Sequence, residues 1–390
     1  MVLCYNKYGF ATEIEIERSL LHEMDVIFQK ACGSHSCSVG SRNFDVLEST
    51  LCSNLGLFGL ECVINVVLCL MAVVAGFRKI GVFQSLADVC CKHLKSSRML
   101  AFLLWNLCFF LSMLVTNDVA LITFVPFTCS LLQRDDQQKI LLRIVVIEAA
   151  AANLGSMATP IGNPQNLYLY STYSFSLGTF FKTILPIVGI SYIGLLFSLL
   201  LIPQQPLAAE IPTESHLPLS AQKKNLIIYS VLGVVCLATV AGFVTHVICF
   251  CVVLLGMIVT DRALIRRVDW ELLLTFVCFF LFSGNLQQIE PVRNLMMQGL
   301  SGGVCLTAAL VSQVISNVPA AVLLSGFTEQ GKELLLGVDI GGLGTPIASL
   351  ASLIAYQYYA KSKLANPAKY LQFFFIYQFI GLFFLLAMKF

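Results

Sequence analysis

The chain has 390 residues, of which 57% are hydrophobic and 12% charged, with a mean hydropathy of +0.83. A water-facing surface needs far more charge, so a soluble globule is excluded and a polytopic membrane protein is expected. A net charge of +2 without a basic patch argues against nucleic acid as a partner, and most of the fifteen cysteines (Cys69, Cys108, Cys129, Cys249, Cys251 and Cys278 among them) lie in apolar spans, where they act as small hydrophobes rather than a disulfide scaffold.

Residues 1–53 are polar and irregular, with the pattern of a short amphipathic helix in EIEIERSLLHEMD and without the apolar core of a signal peptide. Cys32 and Cys37 are too few and too loosely spaced for a zinc site, and the histidines, His22, His93, His216 and His246 among them, form no metal-binding cluster. Apolar segments follow at about 54–77, 99–132, 140–170 and 177–202, with an amphipathic piece at 82–96. After the polar connector 203–224 come segments at about 225–243, 244–260, 271–289, 304–327, 336–358 and 370–388. Most have the roughly 20 residues a helix needs to cross a hydrocarbon core of about 30 Å. Asp269-Trp270 opens the segment at 271, with Trp270 as an interface anchor.

Four of these segments are interrupted. In ANLGSMATPIGNPQNLYLY (152–170), Pro160 and Pro164 remove backbone donors and the glycines ease departure from helical geometry, so the span is expected to break. VDIGGLGTPIASLASLIAY (338–356) aligns with it without a gap, Gly155 matching Gly341, Thr159 Thr345, Pro160 Pro346 and Tyr170 Tyr356. Residues 99–132 and 304–327 carry Thr116-Asn117-Asp118 and Ser316-Asn317-Val318-Pro319 at mid-segment and also align without a gap, Ser112 matching Ser312, Asn117 Asn317 and Phe127 Phe327. Their arms look short for a full crossing. They are expected to be re-entrant hairpins, whose non-helical tips are tolerated only in contact with protein or water. Hairpin, broken span and plain span thus occur once in each half, the pattern of a secondary transporter built from repeats.

Charge is consistent with opposed halves. If the hairpins return to their own side, the loops near 78–98, 133–143, 203–224, 261–270 and 361–369 share one face and hold sixteen Lys and Arg. The other face has Lys182, Arg293, Lys332 and Lys389. The positive-inside rule makes the richer face cytoplasmic, with the first hairpin based inside and the second outside.

At the tips, an asparagine preceded by a hydroxyl residue and the freed carbonyls of a broken helix suit a hard cation such as Na⁺, while half-helix N-termini suit an anion. Thr116, Asn117, Thr159, Pro160, Gly162, Asn163, Ser316, Asn317, Thr345 and Pro346 are the expected solute contacts, and Asn117, Asp118, Asn317 and Asp339 the expected coupling-ion residues. The bland alternative is that Thr116, Asn117 and Asp118 only cap a helix, and that Pro164 and Asn166 only shape a loop. Asp118 and Asp339 are the acids nearest the predicted centre, and an acid there is a functional hypothesis by default. Glu148, one turn before the first break, is a further candidate for a proton-carrying role after Asp118 and Asp339, but the expected role is structural, a pair with Arg143 one turn earlier in the same helix. Asn163 and Asn166 face Ser349 and Ser352 in the second copy, which gives the first half more of the polar contacts.

At these motifs the chain resembles the ion transporter superfamily of arsenite permeases, citrate transporters and divalent-anion/sodium symporters, most closely its bacterial citrate-transporter-like anion permeases. The resemblance covers about residues 65–390 and implies sodium and carboxylate sites at the hairpin tips and unwound spans, here Thr116-Asn117-Asp118 and Ser316-Asn317-Val318. Asp118 and Val318 stand where the dicarboxylate branch has threonine, and only the first half, at Asn163-Pro164-Gln165-Asn166, echoes that branch's Pro-Pro-Asn. The resemblance also implies a homodimer and scaffold spans ahead of residue 54, where this chain has its polar segment.

The expected protein is therefore an all-α polytopic membrane protein with two inverted-topology repeats, 54–202 and 225–390, each holding a re-entrant hairpin and a broken transmembrane helix. It would sit in the inner or plasma membrane with 203–224 cytoplasmic, and move a small carboxylate or oxyanion by alternating access, driven by Na⁺ or H⁺, with no cofactor beyond that ion. A cation/proton antiporter centred on Asp118 and Asp339 is the alternative. Of the readings from other classes, an intramembrane aspartyl protease fits poorly because Asp339 precedes its glycines, a zinc enzyme because no His-Glu-x-x-His motif exists, and a membrane scaffold or receptor because it would not need paired breaks.

Overall fold

The computed structural model describes residues 57–91, 96–206, 222–268 and 270–389. The polar segment 1–53 and most of the connector 203–224 lie outside the described residues. What is described is helical, with one isolated bridge between Ser96 and Pro206 and no strand.

Helix α1 (Leu57–Lys79) ends in Arg78 and Lys79, whose charges suit the negative end of the helix dipole. Gly81, at φ +72°, turns the chain into the short helix α2 (Val82–Cys91). Helix α3 (Ser97–Val115) is capped by the Ser96 hydroxyl, and after the single residue Thr116 the chain continues as α4 (Asn117–Leu131). Helices α5 (Gln138–Ser156) and α6 (Pro164–Thr172) are the two arms of the first broken span; α7 (Leu177–Ser198) follows. The second half adds α8 (Lys223–Val240) and α9 (His246–Thr260), then repeats the earlier order. It runs α10 (Trp270–Gln287), α11 (Glu290–Ser301), α12 (Val304–Ile315), α13 (Asn317–Ser325), α14 (Gly331–Ile340), α15 (Leu350–Ala360) and α16 (Pro367–Lys389).

Helices α1, α3, α7, α8 and α16 are each long and apolar enough to cross a membrane. One expectation changes here. The leading arm of the first hairpin is not short: α3 has 19 residues, about 28 Å of helix. The segment predicted at 271–289 corresponds to α10, and just beyond it the chain turns through 91° into α11, an exposed helix for which the sequence raised no expectation.

Close approaches show how the chain doubles back. Phe109 and Ser112 of α3 lie against Gly155 of α5, and Cys305 and Ser312 of α12 lie against Gly337 and Gly341 at α14. In each half the hairpin's first arm and the following helix therefore run side by side, with the return arm between them in sequence.

Two sets of contacts mark the ends of the molecule. At one end, Ser97 N–H donates to Gln205 O and Arg98 Nε to Ile202 O, Lys79 pairs with Asp261, and Gln138 Nε2 donates to Leu364 O. At the other, Tyr173 Oη donates to Thr328 O at 2.7 Å and Lys389 pairs with Glu333 at 2.9 Å. Helix α7 begins four residues after Tyr173 and runs to the 202–206 segment, so the feet of the two hairpins are tied to opposite ends of a helix about 33 Å long.

Packing divides the described residues into two apolar clusters. The larger gathers α3–α7 with α12, α14, α15 and α16; the smaller gathers α1 with α8, α9 and α10, and reaches the breaks and return arms through Ile161, Leu167, Val318 and Val322. Large side chains that stay exposed, including Phe197 on α7, Ile227 and Val234 on α8 and Phe383 on α16, form the outward surface a lipid environment accepts.

Candidate functional site

The site is built on two strained residues. Thr116 (φ 80°, ψ 152°) and Ser316 (φ 75°, ψ 155°) occupy a backbone region that is essentially reserved for glycine, at a cost of order 1–3 kcal/mol each. Such conformations persist only where neighbours over-determine them. Here the Asn117 N–H donates to Gly162 O at 3.1 Å and the Asn317 N–H to Ala348 O at 3.0 Å. Thr159 Oγ1 donates to Met113 O at 2.5 Å and Thr345 Oγ1 to Gln313 O at 3.0 Å. Every partner in one half is the residue that the two gap-free alignments match with its counterpart in the other. Each hairpin tip is thus fastened to the break of its own half by the same two bonds.

A second layer of contacts crosses between the halves. Asn153, at the end of α5, accepts at Oδ1 from Asn117 Nδ2 (3.0 Å) and from Ser349 Oγ (2.9 Å), and its Nδ2 donates to Ser352 Oγ (3.2 Å). Asp339, at the end of α14, accepts at Oδ1 from Asn163 Nδ2 and Gln165 Nε2, both at 3.4 Å. The alignment matches Asn153 with Asp339 and Asn163 with Ser349, so the crossing is reciprocal. Asn153, Asn163, Gln165, Ser349, Ser352 and Asp339 are all buried, and Asp339 Oδ2 has no hydrogen-bond partner.

The sequence-predicted residues divide accordingly. Asn117 and Asn163 enter the central network, Asn163 also capping α6 by accepting from the Asn166 N–H. Asn317 is buried beside Gly342. The hydroxyls of Thr159 and Thr345 are committed to hairpin carbonyls, and Pro160, Gly162 and Pro346 form the turns between arms. Asn166 Nδ2 donates to Met157 O and Thr159 O, bonds that hold the loop of the first break. Thr116 and Asp118 line a cavity of about 30 Å³ with Asn163 and Pro164, against Leu70 of α1 and Phe276 of α10. It has room for a water-sized species.

The expected Glu148–Arg143 pair is not formed. Arg143 donates to Leu201 O and lies 5.7 Å from the centre of the Phe373 ring, whereas Glu148 accepts from Thr128 Oγ1 at 2.6 Å. Five residues along a helix turn through about 140° net, which puts the two side chains on different faces. Three residues of the site were missed in sequence. Asn153 could have been found as the partner of Asp339 in the alignment; Gln165 was visible only as part of a polar run; and Gln313, which holds the second break through Gly341 O, Leu343 O and the Thr345 N–H, has the apolar counterpart Met113 and left no signal.

The N-termini of α4, α6, α13 and α15 and the C-termini of α3, α5, α12 and α14 all lie at these tips and breaks. N-termini present N–H groups and positive dipole ends; C-termini present free carbonyls. An all-helical membrane chain with paired broken helices around a buried polar centre is a solute transporter. A family model described as "Citrate transporter" matches residues 49–329, and the chain belongs to that family, within the ion transporter superfamily. It is 33% identical over 264 residues to an "Uncharacterized transporter" of Methanocaldococcus jannaschii, covering 67% of this chain and 72% of that one. It is 32% identical over 295 residues to the inner membrane protein YbiR of Escherichia coli (73% and 76% covered), and 26% identical over 332 residues to a "46 kDa membrane protein" of Mycobacterium leprae (75% and 77% covered).

Proposed function

We propose that the chain moves a small carboxylate or oxyanion across the membrane by alternating access, coupled to Na⁺ or H⁺, through two inverted repeats at 54–202 and 225–390 joined by a cytoplasmic connector at 203–224. The observation that carries this reading is the reciprocal crossing at the centre: Asn163 of the first break reaches Asp339 of the second half, and Ser349 of the second break reaches Asn153 of the first. A solute held there touches both halves, so their rocking carries it from one face to the other. Four helix N-termini supply the anion's donors, and the freed carbonyls with Asn117 and Asn317 supply oxygens for a cation. The hairpin feet at opposite ends of α7 and the sixteen Lys and Arg on one set of loops support the inversion.

The test is a thermal-shift series on purified protein with citrate, succinate, arsenite and sulfate, each with and without Na⁺. A ligand at about 100 times its Kd stabilises the folded form by about 2.7 kcal/mol. One of the anions raises Tm, and its radiolabelled form enters proteoliposomes; an unchanged Tm throughout, with no uptake, would overturn the reading. A second reading, cation/proton antiport, is favoured by one observation, the buried Asp339 carboxylate among neutral amides. Asp118→Asn separates the two. A sodium-coupled anion symporter keeps partial activity, whereas an antiporter loses proton flux.

A further inference from the structure

Glu148 is fully buried, yet it lies outside the central network and has lost the basic partner that its sequence position suggested. One oxygen accepts from Thr128 Oγ1 at 2.6 Å, and the other, Oε2, has no partner. The titratable groups that face it are Cys108 from α3, Cys129 from α4 and Tyr370 from α16, with Tyr359 of α15 stacked on Tyr370 at 4.6 Å. Among the described residues none of the groups facing it is a cation, and it forms no ion pair. A carboxylate so placed is costly to keep charged, and a purely structural role would be served better by an apolar side chain of similar volume.

Its position suggests what it does instead. Glu148 lies ten residues from the start of α5 and five before Asn153, about 15 Å along the axis from the Gln138 end and about 7.5 Å short of the central network. At that end the Asn366 N–H bonds the Tyr359 hydroxyl, and Tyr359 stacks on Tyr370, whose buried hydroxyl has no partner. Two stacked tyrosines, one bonded to that loop and the other in the surroundings of Glu148, thus lie on that side of the carboxyl.

We propose that Glu148 is the binding site of the coupling proton, loaded from the face that carries Gln138 and Asn366. This rests on the coupled-transport reading above and deepens it by naming the ion. Loading forms an O–H bond at Oε2 and removes one buried negative charge; unloading returns the proton to water. Sodium fits the pocket poorly, because beyond the carboxyl it offers two hydroxyls and two soft thiols where a hard cation requires a shell of oxygens.

Two measurements on the full-length protein test this. In the first, infrared difference spectra across a pH titration show a protonated-carboxyl band in the wild type that Glu148→Gln lacks; identical spectra would overturn the proposal. In the second, proteoliposomes are given radiolabelled citrate. Glu148→Gln keeps citrate–citrate exchange but loses accumulation driven by an inward proton gradient by about tenfold or more, and Glu148→Asp recovers part of it. Gradient-driven accumulation by Glu148→Gln at the wild-type rate would also overturn it. If the wild type moves no citrate in either mode, the anion reading fails for citrate, while the infrared result still decides for or against Glu148. Should Glu148→Gln not fold, Thr128→Val, which removes the bond to Oε1, shifts the pH at which the band changes; an unmoved band would count against the proposal.

Discussion

Asp339 and Asn153 stand at matched positions but differ by one group, and that difference is chemically informative. Asp339 only accepts, from two amide donors at the long distance of 3.4 Å, whereas Asn153 both accepts, from Asn117 and Ser349, and donates to Ser352. Asp339→Asn keeps an acceptor oxygen in place and removes the ionisable group. The fold is then expected to survive with Tm equal to or above that of the wild type, while ion-driven uptake falls by about tenfold or more, since an ionisable group buried within a membrane protein is a functional hypothesis by default. Radiolabelled uptake beside a melting curve checks both halves of the statement. Lower stability with undiminished transport would mean that Asp339 only holds α14 to α6. Asn153→Asp has the opposite bias: its acceptor bonds remain, but a second carboxylate oxygen replaces the donor to Ser352 and adds a charge to the centre.

Helix pairs carry the next level of constraint, and glycine decides how closely they meet. A Cβ on Gly155 would lie 2.1 Å from Phe109 O, and one on Gly341 2.8 Å from Ala309 Cα; both obstacles are backbone and cannot turn aside. Gly155→Ala should therefore separate α3 from α5 and destabilise by about 1–3 kcal/mol. Gly189 on α7 has nothing within 4 Å of its would-be Cβ, so Gly189→Ala should stay within about 0.5 kcal/mol of the wild type. Melting curves of the two variants, side by side, test the packing. These elements also show what could be read in advance. Both breaks and both tips were legible, because proline, glycine and asparagine in apolar runs report backbone that leaves the helix, and the gap-free matches then paired Gly155 with Gly341. Facing partners were not. Hydropathy reports burial but not direction, so the sequence pairs Glu148 with Arg143, which shares its helix, rather than with Thr128 on α4, and it marks the end of the segment at 271–289 without showing which way the chain turns there. At that bend Pro291 in the first turn of α11 marks a new helix start, while the direction of the turn is held by a long-range contact, Gln287 Nε2 to Val322 O and Leu323 O.

At the scale of the molecule, the hydrogen bonds at each end constrain the order in which loops meet the two sides of a membrane. Loops near residues 79, 98, 138, 205, 261 and 364 are bonded to one another in pairs, and those near 173, 328, 333 and 389 likewise, with α7 running between the two groups. The first group holds most of the Lys and Arg, which retention on the cytoplasmic side would explain. Gln204 and Glu329 are exposed, one in each group. Gln204→Cys and Glu329→Cys, each placed in a background with the fifteen native cysteines replaced, should therefore label from opposite sides with a membrane-impermeant maleimide. Position 329 is expected to react in intact cells and position 204 only in inverted vesicles. The reverse assignment would leave two opposed halves but turn the whole molecule over in the membrane. Labelling of both positions from one side would place both hairpin feet on the same face, and two halves arranged that way could not expose a shared centre to each side in turn by exchanging roles.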